Sequence, residues 1–249
     1  MVSVDRRAAN ILMSDGRLLS LLPAASPIHP WAMNVEGDLS ILDEGDGVDA
    51  DPDALTVGPL RIVLEGMTVV DLRLHQRPRE LAMDAVSCLT QLASACPAAR
   101  RFGAPLFMAL EAFRSRRDGT GLVSLIGLGE GLTPSGDDVL VGVLAGLDLA
   151  CEAWTGASRL RRELAEALAL PLATRTSRLS AAMVRAAAGG LFAEPVLGLL
   201  RVLGQEEAAA TGVEEAAAAL RAMGHSSGVD TLQGLAAVLA CAVSAGEAH

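Results

Sequence analysis

Ser135-Gly136-Asp137-Asp138-Val139-Leu140-Val141-Gly142 and Ser227-Gly228-Val229-Asp230-Thr231-Leu232-Gln233-Gly234 are two copies of one pattern, S-G-x-D-x-L-x-G, in a chain of 249 residues. Each copy follows a polar, glycine-bearing turn, from Gly127 to Pro134 in one case and from Met223 to Ser226 in the other, and opens a long apolar run. Polar start and apolar continuation predict a helix N-terminus. A serine followed three residues later by an acid predicts a capping box, in which the hydroxyl accepts from an early backbone N–H and the carboxylate reaches back. The leucine two positions past the aspartate turns to the core. The glycine four positions past it lies on the aspartate's own face, one turn along, where a missing side chain leaves room for a partner helix or a ligand. Gly136 and Gly228 leave open the spot where free N–H groups and the helix dipole receive an anion.

Outward from the motifs, the chain from Pro78 onward is rich in alanine and leucine at helical spacing. Helices are expected over 78–95, 105–116, 136–152, 157–170, 175–188, 194–203, 206–222 and 228–245, separated by glycine or proline. The first third differs. Short apolar runs at 17–22 and 39–42 predict strands, and the alternation of Leu60, Ile62 and Leu64, then Val70, Leu72 and Leu74, about Glu65-Gly66 predicts a hairpin. The acidic stretch from Glu36 to Asp53 lacks the ordered ligand spacing of a calcium loop and reads as solvated. The expected class is α+β, with a β-rich N-terminal region (1–76) packed on a larger all-helical region (77–249) that carries both motifs.

Composition excludes several functions. Half of the residues are hydrophobic, ample for a core, and the net charge is −10 with two tryptophans, four phenylalanines and no tyrosine. That balance argues against a nucleic-acid surface, which needs basic residues and stacking rings. All 20 basic residues are arginine. Without lysine there is no Schiff base, no lysine-anchored pyridoxal phosphate and no standard P-loop, so an anion must be held by arginine, hydroxyls and backbone N–H groups. No cofactor is expected. Neither C-x-x-C pairs nor helical His-x-x-x-His spacing occurs, so no metal is expected. Asp5, Arg6 and Arg7 with no apolar segment behind them do not read as a secretory signal, and the apolar run from Val139 meets Asp148 too soon to span a membrane. A cytoplasmic location is expected.

The candidate site comprises Gly129, Gly131, Thr133, Ser135, Gly136, Asp137, Ser226, Ser227 and Gly228 as anion binders, with Asp138, Asp230 and His225 as candidates for proton transfer or orientation. Thr174-Arg175-Thr176-Ser177-Arg178 adds hydroxyl and guanidinium donors at another helix start, placing Arg175, Thr176 and Ser177 among the anion binders. Structural alternatives stand beside each: tight helix caps for the motifs, a solvated helix start for the arginine-hydroxyl run, and a simple hydrogen-bonding turn residue for His225. His249, at the end, carries no inference.

Gly127-Leu128-Gly129-Glu130-Gly131-Leu132-Thr133-Pro134-Ser135-Gly136-Asp137-Asp138 and Gly224-His225-Ser226-Ser227-Gly228-Val229-Asp230-Thr231-Leu232-Gln233-Gly234 together resemble the signatures of the AllH-type family. Thr176-Ser177, and more loosely Ala9-Asn10, Ser20-Leu21-Leu22 and Pro30-Trp31-Ala32, extend the resemblance. It implies a subunit of an oxamate carbamoyltransferase system of purine or allantoin breakdown, acting with an acyl-CoA-synthetase-like subunit and converting oxalurate and phosphate into oxamate and carbamoyl phosphate. Two readings follow: an enzyme subunit binding a small anionic carbamoyl or carboxyl compound at the two helix ends, or a non-catalytic partner whose motifs are only tight caps.

Overall fold

The computed structural model describes residues 3–5, 8–96 and 99–246. Arg6, Arg7 and His249 lie outside them. Contacts divide the chain into two units, 1–72 and 73–249.

The first unit contains two sheets. β1 (Ser3–Asp5), β2 (Ala8–Leu12), β3 (Leu18–Pro23) and β4 (Ala32–Val35) form one sheet in that order, with β3 and β4 parallel and the other pairs antiparallel. Asp15-Gly16 turns β2 into β3, with Gly16 at φ 83°, a conformation that suits glycine. Facing Asn10 and Ser20 are both buried, and the Ser20 hydroxyl donates to Asn10 Oδ1 at 2.6 Å, satisfying the pair inside the sheet. β5 (Val48–Ala50), β6 (Ala54–Val57) and β7 (Leu60–Val63) form a second, antiparallel sheet. Ala9, Ile11, Leu21 and Val35 from the first sheet share one core with Leu55 and Val57 from the second.

Three local expectations need correction. The run at 39–42 is not a strand but a 3-10 turn, Leu39–Ile41, started by Asp38 accepting from the Ser40 N–H, with Leu39 and Leu42 buried. Leu60 and Ile62 do alternate in a strand, yet the partner is β6 through a turn at Gly58, and no hairpin forms about Glu65-Gly66. Residues 64–71 stay outside strands, and Arg73, the first residue of the second unit, forms an isolated bridge with Leu191 within that unit. Alternation gave the pleat but not the partner. The acidic stretch is not simply a loop, since it includes this turn and β5.

The second unit is helical: α1 (Met83–Ser94), α2 (Ala99–Arg116), α3 (Thr120–Val123), α4 (Ser135–Leu149), α5 (Ala157–Ala169), α6 (Arg178–Ala188), α7 (Glu194–Leu203), α8 (Ala210–Arg221) and α9 (Ser227–Gly246). Strands in the first third and helices thereafter give the α+β class. α5 shows the amphipathic rule plainly, burying Ala157, Leu160, Leu164 and Leu168 at three- and four-residue spacing. α2 starts six residues earlier than expected and runs through Pro105, while α1 starts five residues later, since 78–82 is irregular with a bend at Arg79-Glu80 and Ala82 is the extended N-cap.

α4 and α9 are the axis of this unit. They are apolar on most faces, as helices buried on all sides must be. By length and composition α9 is apolar enough over Ser227–Ala245 to cross a membrane, beyond what the sequence reading allowed, but two thirds of that span is buried against its neighbours. Arg77 and Arg161 clamp the buried Asp148 near the C-terminus of α4 at 2.8 and 3.2 Å, while Arg161 also donates to the Ala188 carbonyl at the end of α6. An acid at a helix C-terminus opposes the dipole, and the two guanidiniums offset it.

Candidate functional site

The glycines of the two motifs bring α4 and α9 together. A Cβ on Gly142 would lie 2.0 Å from the Thr231 carbonyl oxygen and 2.8 Å from the Leu235 nitrogen. A Cβ on Gly234 would lie 2.0 Å from the Val139 carbonyl oxygen and 2.8 Å from the Leu235-equivalent nitrogen, that of Val143. These are matching positions of the two copies, so the helices cross as a pseudo-twofold pair, backbone against backbone. The space beside each aspartate is filled by the partner helix.

This crossing sets the two N-termini side by side, and their polar groups exchange partners. Ser227 of the second copy acts on Asp138 of the first, and Ser135 of the first on Asp230 of the second, each hydroxyl favouring the ionised carboxylate. Thr133 and Ser227 hydroxyls lie 3.0 Å apart, tying the first turn to the second helix. The capping box is therefore not what the serine and aspartate form in the first copy: Pro134 is the N-cap and offers no side-chain bond, while Ser135 is the first residue of the helix. Asp138 and Asp230 are 7% and 3% exposed, and Oδ2 of each is buried without a hydrogen-bond partner. Burial pushes the Asp138 carboxyl up to about 7; Ser227 opposes the rise, and the charges of Asp230 and Asp137 add to it. Burial raises Asp230 too, against hydrogen bonds from Ser135 and Ser226 and the nearby Arg101 cation.

Asp137 has a different task from the anion-binding one expected of it. It is 1% exposed and accepts from the Gly127 N–H at 3.0 Å, the Ser180 hydroxyl at 2.7 Å and the Thr176 hydroxyl. A carboxylate so satisfied is a buried staple between the glycine turn, α4 and α6. Thr176 is thereby committed, and Ser177 caps α6, accepting from the Ser180 N–H while donating to the Leu132 carbonyl. Arg175 precedes the helix, is exposed, and reaches the Val123 carbonyl at 3.4 Å. These hydroxyls hold the turn rather than face outward.

Gly136 and Gly228 also differ from expectation. A Cβ would meet the Leu125 carbonyl oxygen at 2.0 Å in the first case and the Leu220 carbonyl oxygen at 1.8 Å in the second. Their N–H groups donate to the Leu128 and Met223 carbonyls. Both glycines admit neighbouring backbone, not an anion. Gly129 and Gly131 have φ of 125° and 90°, and around Gly131 the space is open. Leu128 and Leu132 on the same turn are 44% and 54% exposed. Ser226 and His225 are exposed on the turn before α9; His225 stands where the first copy has Thr133, so the pseudo-symmetry breaks there.

Residues 125–239 match the AllH family model. Its description is oxamate carbamoyltransferase subunit AllH, and the AllH-like segment holds both motifs, α4 to α8 and most of α9. The looser N-terminal similarities at Ala9-Asn10 and Pro30-Trp31-Ala32 lie outside it. No curated protein and no solved structure matches the chain.

Ser180 and Arg101 were missed in the sequence. Ser180 is one turn into α6, with nothing local to mark its bond to Asp137. Arg101 did leave a signal: it stands in the first turn of α2, where a cation opposes the dipole and no acid accompanies it. A cavity of about 1170 Å³ lies elsewhere, near the C-terminal ends of α4 and α7, with Arg77, Arg79 and Arg201 set against Glu80, Glu152 and Glu206. Its mixed charges select no ligand. Among the described residues no group of three or more His, Cys, Asp or Glu is placed to hold a metal ion.

Proposed function

We propose that the chain is a subunit of an oxamate carbamoyltransferase-type complex and that its substrate site is the crossing of the α4 and α9 N-termini. One observation carries the reading: two buried aspartates at matching places in the two motifs, Oδ2 of each without a hydrogen-bond partner, with the Asp138 carboxyl raised to about 7. Burying a carboxylate without full hydrogen bonding costs stability, so a fold that does it twice at one place retains it for use. In the reaction that the AllH name suggests, a phosphate oxygen attacks the carbamoyl carbon of oxalurate and the C–N bond breaks. The oxamate nitrogen leaves as an amide and needs a proton. A carboxyl with a pKa about 7 is a competent donor near neutral pH, and the proton released by phosphate returns it to the neutral form. Asp138 is the proposed acid, with Asp230 beside it. The exposed Gly129–Gly131 turn, with space around Gly131, is the proposed anion cradle.

The test is phosphorolysis of oxalurate by a complex reconstituted with the synthetase-like subunit. Asp138→Asn is expected to lower kcat by about a hundredfold or more with the complex intact, the usual scale for losing an acid catalyst. Equal rates would remove Asp138 from the chemistry. They would favour the second reading, a non-catalytic subunit, for which the exposed Leu128 and Leu132 on the glycine turn supply a docking edge.

A further inference from the structure

Among the described residues, nothing pairs with the outer edge of the smaller sheet. β5 is bonded to β6 on one side only, and all three of its residues are exposed. The ladder fixes which of its groups point outward. The Gly58 N–H donates to the Gly47 carbonyl, the Asp51 N–H donates to the Ala54 carbonyl, and Asp49 lies opposite Thr56. Bonding alternates along an antiparallel strand, so the N–H and C=O groups of Val48 and Ala50 point away from β6. The side chains add a second pattern. Val48 and Ala50 stand opposite the buried Val57 and Leu55, so a row that belongs to the core runs out to the edge and ends there in two exposed residues. Asp49, between them, takes the other face.

Charge selects what fits such an edge. Asp43, Glu44, Asp46, Asp49, Asp51 and Asp53 flank or lie in the strand, and no basic residue stands between 43 and 53. Asp46 and Asp51 also shape the flanking turns, accepting from the Asp43 N–H and from the Asp53 and Ala54 N–H groups. Like charge opposes the addition of a second copy's β5, a common guard on open edges. The same charge attracts a basic strand. We infer that β5 is a docking edge for an extended segment of a partner protein in which arginine or lysine alternates with apolar residues. The partner's backbone pairs with the outward groups of Val48 and Ala50, its apolar side chains prolong the row of Val57 and Leu55, and its cations lie on the Asp49 face. This interaction is independent of the proposed substrate site.

Fluorescence anisotropy of labelled peptides titrated with the full chain tests the edge. A peptide alternating arginine and valine is expected to bind about tenfold or more tightly than one alternating glutamate and valine, and to weaken as salt is raised. N-methylation of every second residue separates strand addition from charge attraction. Methyl groups in one phase should abolish binding and in the other spare it, because only alternate residues of an added strand turn their N–H groups to the edge. Asp49→Lys is expected to weaken binding about tenfold or more, with melting curves to check that it folds, as the exposed position should permit. Amide exchange should slow at Val48 and Ala50 when the peptide is bound. Both N-methylated peptides binding as the unmodified one does, an Asp49→Lys chain that binds unchanged, or no binding at millimolar peptide would each overturn the inference. So would a chain that dimerises with the Val48 and Ala50 amides protected in the absence of peptide, which would assign the edge to a second copy.

Discussion

At the scale of single residues, Asp137, Asp138 and Asp230 show that one side-chain type at one helix end can serve opposite purposes. Asp137 has donors on both oxygens, and Asp137→Asn replaces an acceptor by an amide N–H facing donors. A loss of about 3 kcal/mol is expected, the scale of breaking a buried charged network, and urea denaturation measures it. Asp138 is the reverse case. Its carboxyl is raised from 3.8 to about 7 by burial, so the folded chain binds a proton that the unfolded chain releases in that window. Stability from this group is therefore fully present below pH 4, falls as pH rises from about 4 to 7, and is flat above. Asp138→Asn removes the titration. The variant should match the parent at pH 4 and exceed it by an amount that grows to at most about 4 kcal/mol above pH 7, each pH unit being worth about 1.4 kcal/mol. Melting temperatures of both proteins across pH 4–8 decide this, and parallel curves would show Asp138 to titrate normally.

At the scale of elements, glycine governs how closely helices approach. Gly142→Ala and Gly234→Ala each drive a methyl into a carbonyl oxygen at 2.0 Å on the facing helix. Backbone cannot swing aside as a side chain can, so each should cost about 3 kcal/mol or more, at or above the upper end of ordinary overpacking. Gly136→Ala, against the Leu125 carbonyl, belongs with them: its effect should be on folding first. Gly198 in α7 is the control, for nothing lies within 4 Å of its added Cβ and its backbone is helical. Gly198→Ala should stabilise by about 0.5–1 kcal/mol through helix propensity. Chemical denaturation of the four variants ranks them, and an unaffected Gly142→Ala would disprove the close crossing.

At the scale of the whole molecule, the larger hydrophobic core runs from Leu74 to Cys241 and the smaller is built from Ala9 to Val57, so each unit has an interior of its own. Residues 73–249 expressed alone should keep the helical circular dichroism expected of their nine described helices and unfold in one cooperative transition; a molten, non-cooperative melt would contradict it. The AllH-like match lies wholly inside this unit. By itself the sequence determined what depends on neighbours a few residues apart: strands in the first third and helices thereafter, the helices that open at the two S-G-x-D-x-L-x-G copies, and the resemblance those copies carry. It did not determine where each group would end up. The S-x-x-D spacing suits a capping box, yet in the first copy Pro134 is the N-cap without a side-chain bond, and Ser227 of the second copy lies 3.0 Å from Thr133 of the first because the glycine crossing brings the two turns together. Leu60 and Ile62 alternate toward Val70 and Leu72 in the sequence, yet β7 pairs with β6. Thr176 and Ser180 meet Asp137 from 39 and 43 residues away. Local pattern fixes which backbone forms and which face is apolar; donor, acceptor and charge find their partners only when packing sets distant segments at contact distance, and that was decided by the tertiary structure.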